Sequence, residues 1–534
     1  MSDSALQSAP DSLSHPLAAQ AGSALALLTA QQVRVVDALA AHQGEDVFKL
    51  MQRAGEAVAA EIMRRIAPCQ VVVLVGPGNN GGDGLIAAAK LKEAGWSVTV
   101  ALLGEADQLK GAAAQALAVW DGPTEPITRD CCDQAALVVD AVFGVGCERD
   151  IPAHLVSLYT ALFDKRIPVV AVDIPSGIAS NTGQLLGGAP MAFLTVTFAR
   201  KKPGHLLLPG RIHAGEVVVA DIGIAPDIYS IIQPNLFENG PELWLHALPE
   251  PQLHDHKYSR GVALIAGGAE MTGAARLAAR AAQRAGAGMV QVAAPAESAD
   301  IYRIDLESCI VHQLADAEAW GRLLATTNYS AICIGPGLGR SEDVRADVLR
   351  ALRTDIPTVL DADGISSFAG HRSEILAELR PHTVMTPHNG EYDRLFDTRG
   401  DALRRACLAA VSSGSIVLLK GATTVIAAPD GTCILNTNAP PTLATAGAGD
   451  VLAGLITGLM AQGMPPLLAA AAGAWMHGAV AYDFGPGLIA EDLISNLPLL
   501  LNYLYDLKNQ PPEAAGHQPP AAPEPDDKPA LERV

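Results

Sequence analysis

An aspartate placed behind two glycines is the group in this sequence best set to move a proton. The stretch Thr442–Gly454 reads TLATAGAGDVLAG, so Gly447, Gly449 and Asp450 stand at the mouth of a helix that continues through Val451, Leu452, Leu455 and Ile456. Glycines let the backbone approach an anion closely, and the free N–H groups of a helix's first turn favour phosphate. An aspartate there repels phosphate unless it handles a proton or a metal. Alone, the string is equally a glycine-capped helix with an acidic first turn.

Other groups cluster at strand ends. VVVLV (71–75) runs into GPGNNGGDG (76–84), which offers backbone N–H groups and the side chains of Asn79, Asn80 and Asp83 around Gly81 and Gly82. This loop is neither G-x-G-x-x-G nor a phosphate loop with its lysine. LVVDAVFGVGCERD (137–150) carries Asp140, and VVAVDIPSG (169–177) carries Asp173 and Ser176. Each is by itself an ordinary turn former. At converging tips of one parallel sheet, the oxygens of Asn80, Asp140 and Ser176 suit a hard cation, which leaves Asp173 to handle a proton. In the second half, Gly337 lies in GPGLG, His388 and Glu391 in TPHNGE, and Lys420 ends the strand of SIVLLKGATT.

The elements that must hold these groups are legible as a series. Strand, glycine turn, helix and strand recur from residue 71 onward and restart at 262, the pattern of parallel α/β layers whose ligands sit at the carboxyl ends of strands. A chain of 534 residues exceeds one core, and its 49% hydrophobic residues with 4% aromatics require cores of Ala, Val, Leu and Ile. We expect a lead-in at 1–24, a first domain over 25–240, a second over 250–505 after the Pro-rich join 241–256, and a disordered tail at 509–534. A net charge of −20 argues against nucleic acid or an anionic membrane as partner. The eight scattered cysteines lack metal-ligand spacing and read as reduced thiols of a cytoplasmic protein.

NNGGDG, DAVFGVG, DIPSG and VVVADIGI together resemble the NAD(P)H-hydrate epimerase domain over roughly 25–240. The resemblance implies a Rossmann-like three-layer sandwich that interconverts the R and S forms of hydrated NADH or NADPH. It implies a potassium ion held by Asn80, Asp140 and Ser176. It also implies substrate contacts from Asn79, Asn80, Gly81, Gly82 and Asp83, from Gly144, Val145, Gly146, Cys147, Glu148, Arg149 and Asp150, and from Asp173, the acid or base at the hydrated carbon. Loss and return of water and ring opening are both open as routes.

HKYSRG, GPGLG, TPHNGE, KGATT and GAGDVLAG, in that order, resemble the NAD(P)H-hydrate dehydratases of the ribokinase-like superfamily over roughly 250–505. The resemblance implies a second three-layer sandwich in which Lys420, Gly421, Ala422, Thr423, Thr424 and Gly449 hold an adenine nucleotide. Ala274, Gly337, His388 and Asp450 would hold the substrate. Residues 436–447, NTNAPPTLATAG, depart from that pattern in having Ala446 where a glycine is expected. Asp450 would take the proton of the ring hydroxyl as its oxygen attacks the nucleotide's terminal phosphorus, making phosphate the leaving group. ADP is the expected donor, with magnesium and with Glu391 as an indirect ligand; a homo-oligomer is expected. Two other classes compete: a vitamin- or sugar-type kinase, told apart by a stable phosphorylated product, and a non-catalytic binding module, against which Asp140, Asp173 and the acidic balance speak.

Overall fold

Runs of valine, leucine and isoleucine flanked by glycine turns become short buried strands, and the alanine-rich stretches between them become covering helices. In the computed structural model, which describes residue 17 and residues 22–316, 318–326 and 328–510, these build two sheets. Of the expected lead-in and tail, residues 1–16, 18–21 and 511–534 lie outside the described residues.

Numbered in chain order, β1 is Ala26–Leu27, and the first sheet comprises β2 (Gln70–Val75), β3 (Ser97–Leu102), β4 (Thr124–Pro126), β5 (Leu137–Ala141), β6 (Val169–Val172), β7 (Leu194–Phe198) and β8 (Glu216–Ala220). All neighbours are parallel, in the order β4-β3-β2-β5-β6-β7-β8. The direction of winding reverses between β2 and β5, where a crevice opens beyond the carboxyl ends. Val71, Val73 and Val75 feed one core and Val72 and Leu74 another, so both faces are covered.

The second sheet contains β9 (Leu236–Glu238), β10 (Val262–Ala266), β11 (Met289–Pro295), β12 (Ile310–Leu314), β13 (Ala331–Ile334), β14 (Thr358–Leu360), β15 (Thr383–Met385), β16 (Ile416–Leu419), β17 (Thr424–Ala427) and β18 (Cys433–Asn436). Its order is β1-β9-β18-β17-β16-β15-β14-β13-β10-β11-β12, with reversal between β13 and β10. From β12 to β16 every pair is parallel, whereas β16, β17 and β18 form an antiparallel meander. Its two faces also feed separate cores, through Ala263 and Ile265 on one side and Val262 and Leu264 on the other. The α/β architecture with helices on both sides of each sheet is thus as expected.

Two stretches within 25–240 join the second sheet rather than the first. β9 pairs in parallel with β18, and β1 pairs antiparallel with β9, so segments from the first half cover an edge that would otherwise expose unpaired backbone groups. Leu206 and Leu207 also enter a core of the second half, and Thr423 Oγ1 donates to the Leu206 carbonyl at 3.0 Å. One cysteine expectation is corrected. Cys407, on the helix Ala402–Ser413, forms a disulfide with Cys433 of β18, because that helix packs over the strands that follow it.

Candidate active sites

The first site lies at the crevice between β2 and β5. A cavity of about 480 Å³ is lined there by Asn79, Asn80, Asp83, Asp173 and the turn Gly144–Cys147, with Asp37, Lys202 and Ile224 opposite. The stretch expected as a loop at 79–84 is instead the start of the helix Asn79–Glu93. Gly81 and Gly82 do not line the cavity; a methyl group on Gly81 would stand 2.0 Å from the Gly76 carbonyl oxygen, and one on Gly82 would stand within 2.4 Å of Met51 Sδ. These glycines let the helix start against β2, and they leave Asn79, Asn80 and Asp83 as its contribution to the cavity. Glu148, Arg149 and Asp150 are exposed beyond the lining, with Glu148 3.7 Å from Arg34 at the rim.

Asp173 follows β6 with a φ of 65°, a left-handed conformation that costs a non-glycine residue energy and recurs where function fixes a side chain. Its Oδ1 accepts from Lys202 Nζ at 2.5 Å and from Thr197 Oγ1 at 2.9 Å. Burial works to raise its pKa, yet the Lys202 ammonium beside it holds the carboxyl below the usual carboxylate range. Asp83 is the converse case: burial, then the charges of Asp173 and Asp37, push its carboxyl well above that range. Two carboxyls shifted in opposite directions therefore share one cavity.

Asp140 and Ser176 sit beneath the lining. Asp140 is fully buried and accepts from Ser176 N at 2.8 Å, Ser176 Oγ at 2.7 Å and the Tyr159 hydroxyl at 3.0 Å. Asn80 is different, since both its amide atoms are buried without a hydrogen-bond partner. An orphaned amide oxygen asks for a ligand, and amide, carboxylate and hydroxyl oxygens such as those of Asn80, Asp140 and Ser176 are the donor types a hard cation takes.

The second site gathers at the carboxyl ends of β10 and β13–β16. Gly337 follows β13 with a φ of 69°, and a methyl group there would stand 3.2 Å from Ala274 Cβ, so those two expected substrate positions are neighbours. Lys420 follows β16, and its Nζ donates to Asp361 Oδ1 at 2.8 Å. A methyl group on Gly449 would stand 3.3 Å from Lys420 Nζ and 3.9 Å from Asp361 Oδ2, which brings the helix start, the cation and the acid together. Burial opposes the charge of Lys420, but Asp361 and Glu391 outweigh it and hold the ammonium above its ordinary value. Lys420, Gly421, Ala422 and Thr423 also line a cleft of about 190 Å³ with Thr182, Gln184 and Leu207 of the first half.

Asp450 lies in the first turn of the helix Ala448–Ala461, entered through Gly447 at a φ of 86°. The left-handed residue of this turn is Gly447, so Ala446 in place of a glycine does not obstruct it. Burial, and next the charge of Asp361, raise the Asp450 carboxyl to about 6, against the lowering effect of Lys420. With a folded value above its ordinary 3.8, Asp450 favours the fold only where it is protonated; that contribution is full below about 4 and is lost as pH rises through about 6. Asp450→Asn is therefore expected to raise the thermal midpoint by about 2–4 °C at pH 7 and to leave it unchanged at pH 4, as calorimetry would read.

His388 plays a clearer part than the sequence implied. Its Nδ1 accepts from Gly390 N at 2.9 Å, and Glu391 Oε2 accepts from His388 N at 2.9 Å, a reciprocal cap on the helix Asn389–Leu395. Glu391 is committed to that cap. Among the described residues no three His, Cys, Asp or Glu side chains cluster as a metal cage. Sequence reasoning missed Lys202, Thr197 and Asp361; only Asp361, ending the strand of TVLDADG, carried the same strand-end signal as Asp140.

Residues 262–496 match the family model described as NAD(P)H-hydrate dehydratase, and residues 47–204 match that of the YjeF-related protein N-terminus. A bifunctional NAD(P)H-hydrate repair enzyme of Salinibacter ruber is 37% identical over 516 residues, covering 88% of this chain and 95% of the relative. The enzyme of the same description from Coxiella burnetii is 34% identical, covering 88% and 98%. Among solved structures, the ADP/ATP-dependent NAD(P)H-hydrate dehydratase of Bacillus subtilis, co-crystallised with ATP and Mg2+, is 29% identical with a TM-score of 0.43, covering 50% of this chain and 97% of that one. With such identity across nearly the whole of both chains, and with an acid-bearing site in each half, the chain belongs to the bifunctional NAD(P)H-hydrate repair enzymes, which join an epimerase and a dehydratase in one polypeptide.

Proposed function

We propose that the first cavity interconverts the R and S forms of hydrated NADH and NADPH with Asp173 as the proton-handling group, and that the second site dehydrates the S form at the expense of ADP. The observation that carries the second half is Asp450, seated in the first turn of a helix beside Gly449, Lys420 and Asp361 and half-ionised near pH 6. Its carboxylate accepts the proton of the ring hydroxyl as that oxygen forms its bond to the terminal phosphorus of ADP and AMP leaves. The amides of the helix start and Lys420 meet the charge on the moving phosphoryl group. Phosphate then departs under the push of the ring nitrogen's lone pair, and loss of a proton from the neighbouring ring carbon to the departing phosphate or to water restores the dihydropyridine. Ala274 and Gly337 supply the floor on which the ring lies, and Gly421 to Thr424 hold the nucleotide.

In the first half, Asn80, Asp140 and Ser176 would hold a potassium ion, whose charge would steady the anionic parts of the substrate. Asn79, Asp83 and the turn Gly144–Cys147 would contact the hydrated dinucleotide. Magnesium would enter the second site on the phosphates of ADP. A cytoplasmic setting and assembly into a homo-oligomer complete the reading; exposed Tyr482, Leu499 and Tyr503 are apolar surface that assembly would cover.

The test is to incubate the protein with hydrated NADH, with and without ADP, and follow the reduced-nicotinamide absorbance. The proposal requires recovery only with ADP, release of phosphate, and consumption of both epimers. A stable phosphorylated product would point to a kinase instead. The rate of S-epimer dehydration should fall tenfold per pH unit below a limb near 6, where Asp450 becomes protonated.

A further inference from the structure

Lys202 is fully buried, and its ammonium has three protons and three acceptors: Asp173 Oδ1 at 2.5 Å, Thr197 Oγ1 at 2.7 Å and the Phe198 carbonyl at 3.2 Å. No donor is left for a substrate. What the cation does is select among carboxyls: Asp37, Asp83 and Asp173 line the same cavity, and only Asp173 touches it. With Oδ1 taken by Lys202 and Thr197, Oδ2 turns to the Gly144–Val145 side, 3.4 Å from Val145 N, and that side lines the cavity.

The lysine is itself locked to the backbone of the residue it serves. Lys202 N donates to His205 Nδ1 at 3.0 Å, which leaves the proton of a neutral imidazole on Nε2, and Nε2 donates to the Asp173 carbonyl at 2.8 Å. Burial, reinforced by the Lys202 charge, lowers His205 to about 3, so this tautomer is kept at neutral pH. One short turn, Lys202–His205, thus grips Asp173 by its side chain and by its main chain, and holds the left-handed φ of 65° in place.

We infer that Lys202 is the positioning residue of the epimerase site, fixing one oxygen of Asp173 so that the other alone meets the hydrated ring. The inference rests on the reading of Asp173 as the proton-handling group. Because Lys202 acts through Asp173, its loss lowers turnover and leaves substrate affinity almost intact, and it adds nothing once Asp173 is gone.

The experiment compares Lys202→Met, Asp173→Asn and the double variant in the full chain, measuring kcat and KM for R-to-S conversion and, as a report on the fold, ADP-driven dehydration of the pure S form. The expected result is a fall of about 100-fold in kcat for Lys202→Met with KM within about threefold, a double variant no slower than Asp173→Asn, and S-form dehydration within about twofold throughout. Where the methionine disrupts the fold, Lys202→Gln carries the same test, with an expected loss of about tenfold in kcat. An active Lys202 variant beside an inactive Asp173→Asn overturns this inference alone, as does a double variant slower than Asp173→Asn. An active Asp173→Asn overturns the acid–base reading itself.

Discussion

Asp450→Asn lowers ADP-driven dehydration of the S epimer by about 10²–10⁴-fold, the usual worth of a positioned general base, while R-to-S conversion stays within about twofold. Asparagine keeps the shape of the side chain and its place in the helix's first turn, so the helix start, Lys420 and Gly449 remain in position. What is lost is the only step that needs the charge, acceptance of the hydroxyl proton as the oxygen attacks phosphorus. The loss should fall on kcat and leave the KM for ADP little changed, because the nucleotide is held mainly through Lys420 and the turn after it. The same variant should be the more stable protein at neutral pH, so lost activity with a raised thermal midpoint separates a removed base from a damaged fold. Residual activity within tenfold of the parent would contradict the assignment.

Asp173→Asn gives the complementary phenotype: R-to-S conversion falls by about 10²–10⁴-fold, and ADP-driven dehydration of the S form is untouched. The substitution removes the negative partner of a fully buried lysine, so Lys202 is left with Thr197 and the Phe198 carbonyl as acceptors. Breaking a buried pair in this way costs about 3–5 kcal/mol, a cost that falls on the first half. Dehydration of the S form by the same sample is therefore the control that matters. Its persistence shows that β1 and β9, which close the edge of the second sheet from the first half, are still in place.

Much of this was legible in the sequence because parallel α/β layers write themselves locally. Each strand is a short apolar run; Asp140, Asp173 and Lys420 were singled out because they stand where such a run ends, and Asp450 because glycines precede it at a helix start. The errors have physical causes as specific as the successes. Glycines at 81 and 82 read as a loop, but they serve the close approach of a helix to β2 and to Met51, a purpose no spacing reveals. Lys202 sits in the run ARKKPG, which reads as a solvated basic patch; the turn that follows sends one of its three cations inward and leaves Lys201 paired with Glu238 at 2.8 Å. β9 pairs with β18 almost two hundred residues away, as Ile434 faces Phe237, and local periodicity carries no trace of such a partner. His388 had the right place and a different visible task, since its ring closes a helix cap that only the folded backbone displays.

The most direct measurement supplies a mixture of R and S hydrated NADH with ADP and records the total recovery of reduced-nicotinamide absorbance. The parent chain should consume the whole mixture. Asp173→Asn should stop once the S portion is spent, Asp450→Asn should recover nothing, and the two variants combined should again consume the whole mixture, each supplying the site the other lacks. Complete consumption by Asp173→Asn alone, or no recovery from the combined variants, would contradict the division of labour between these two acids.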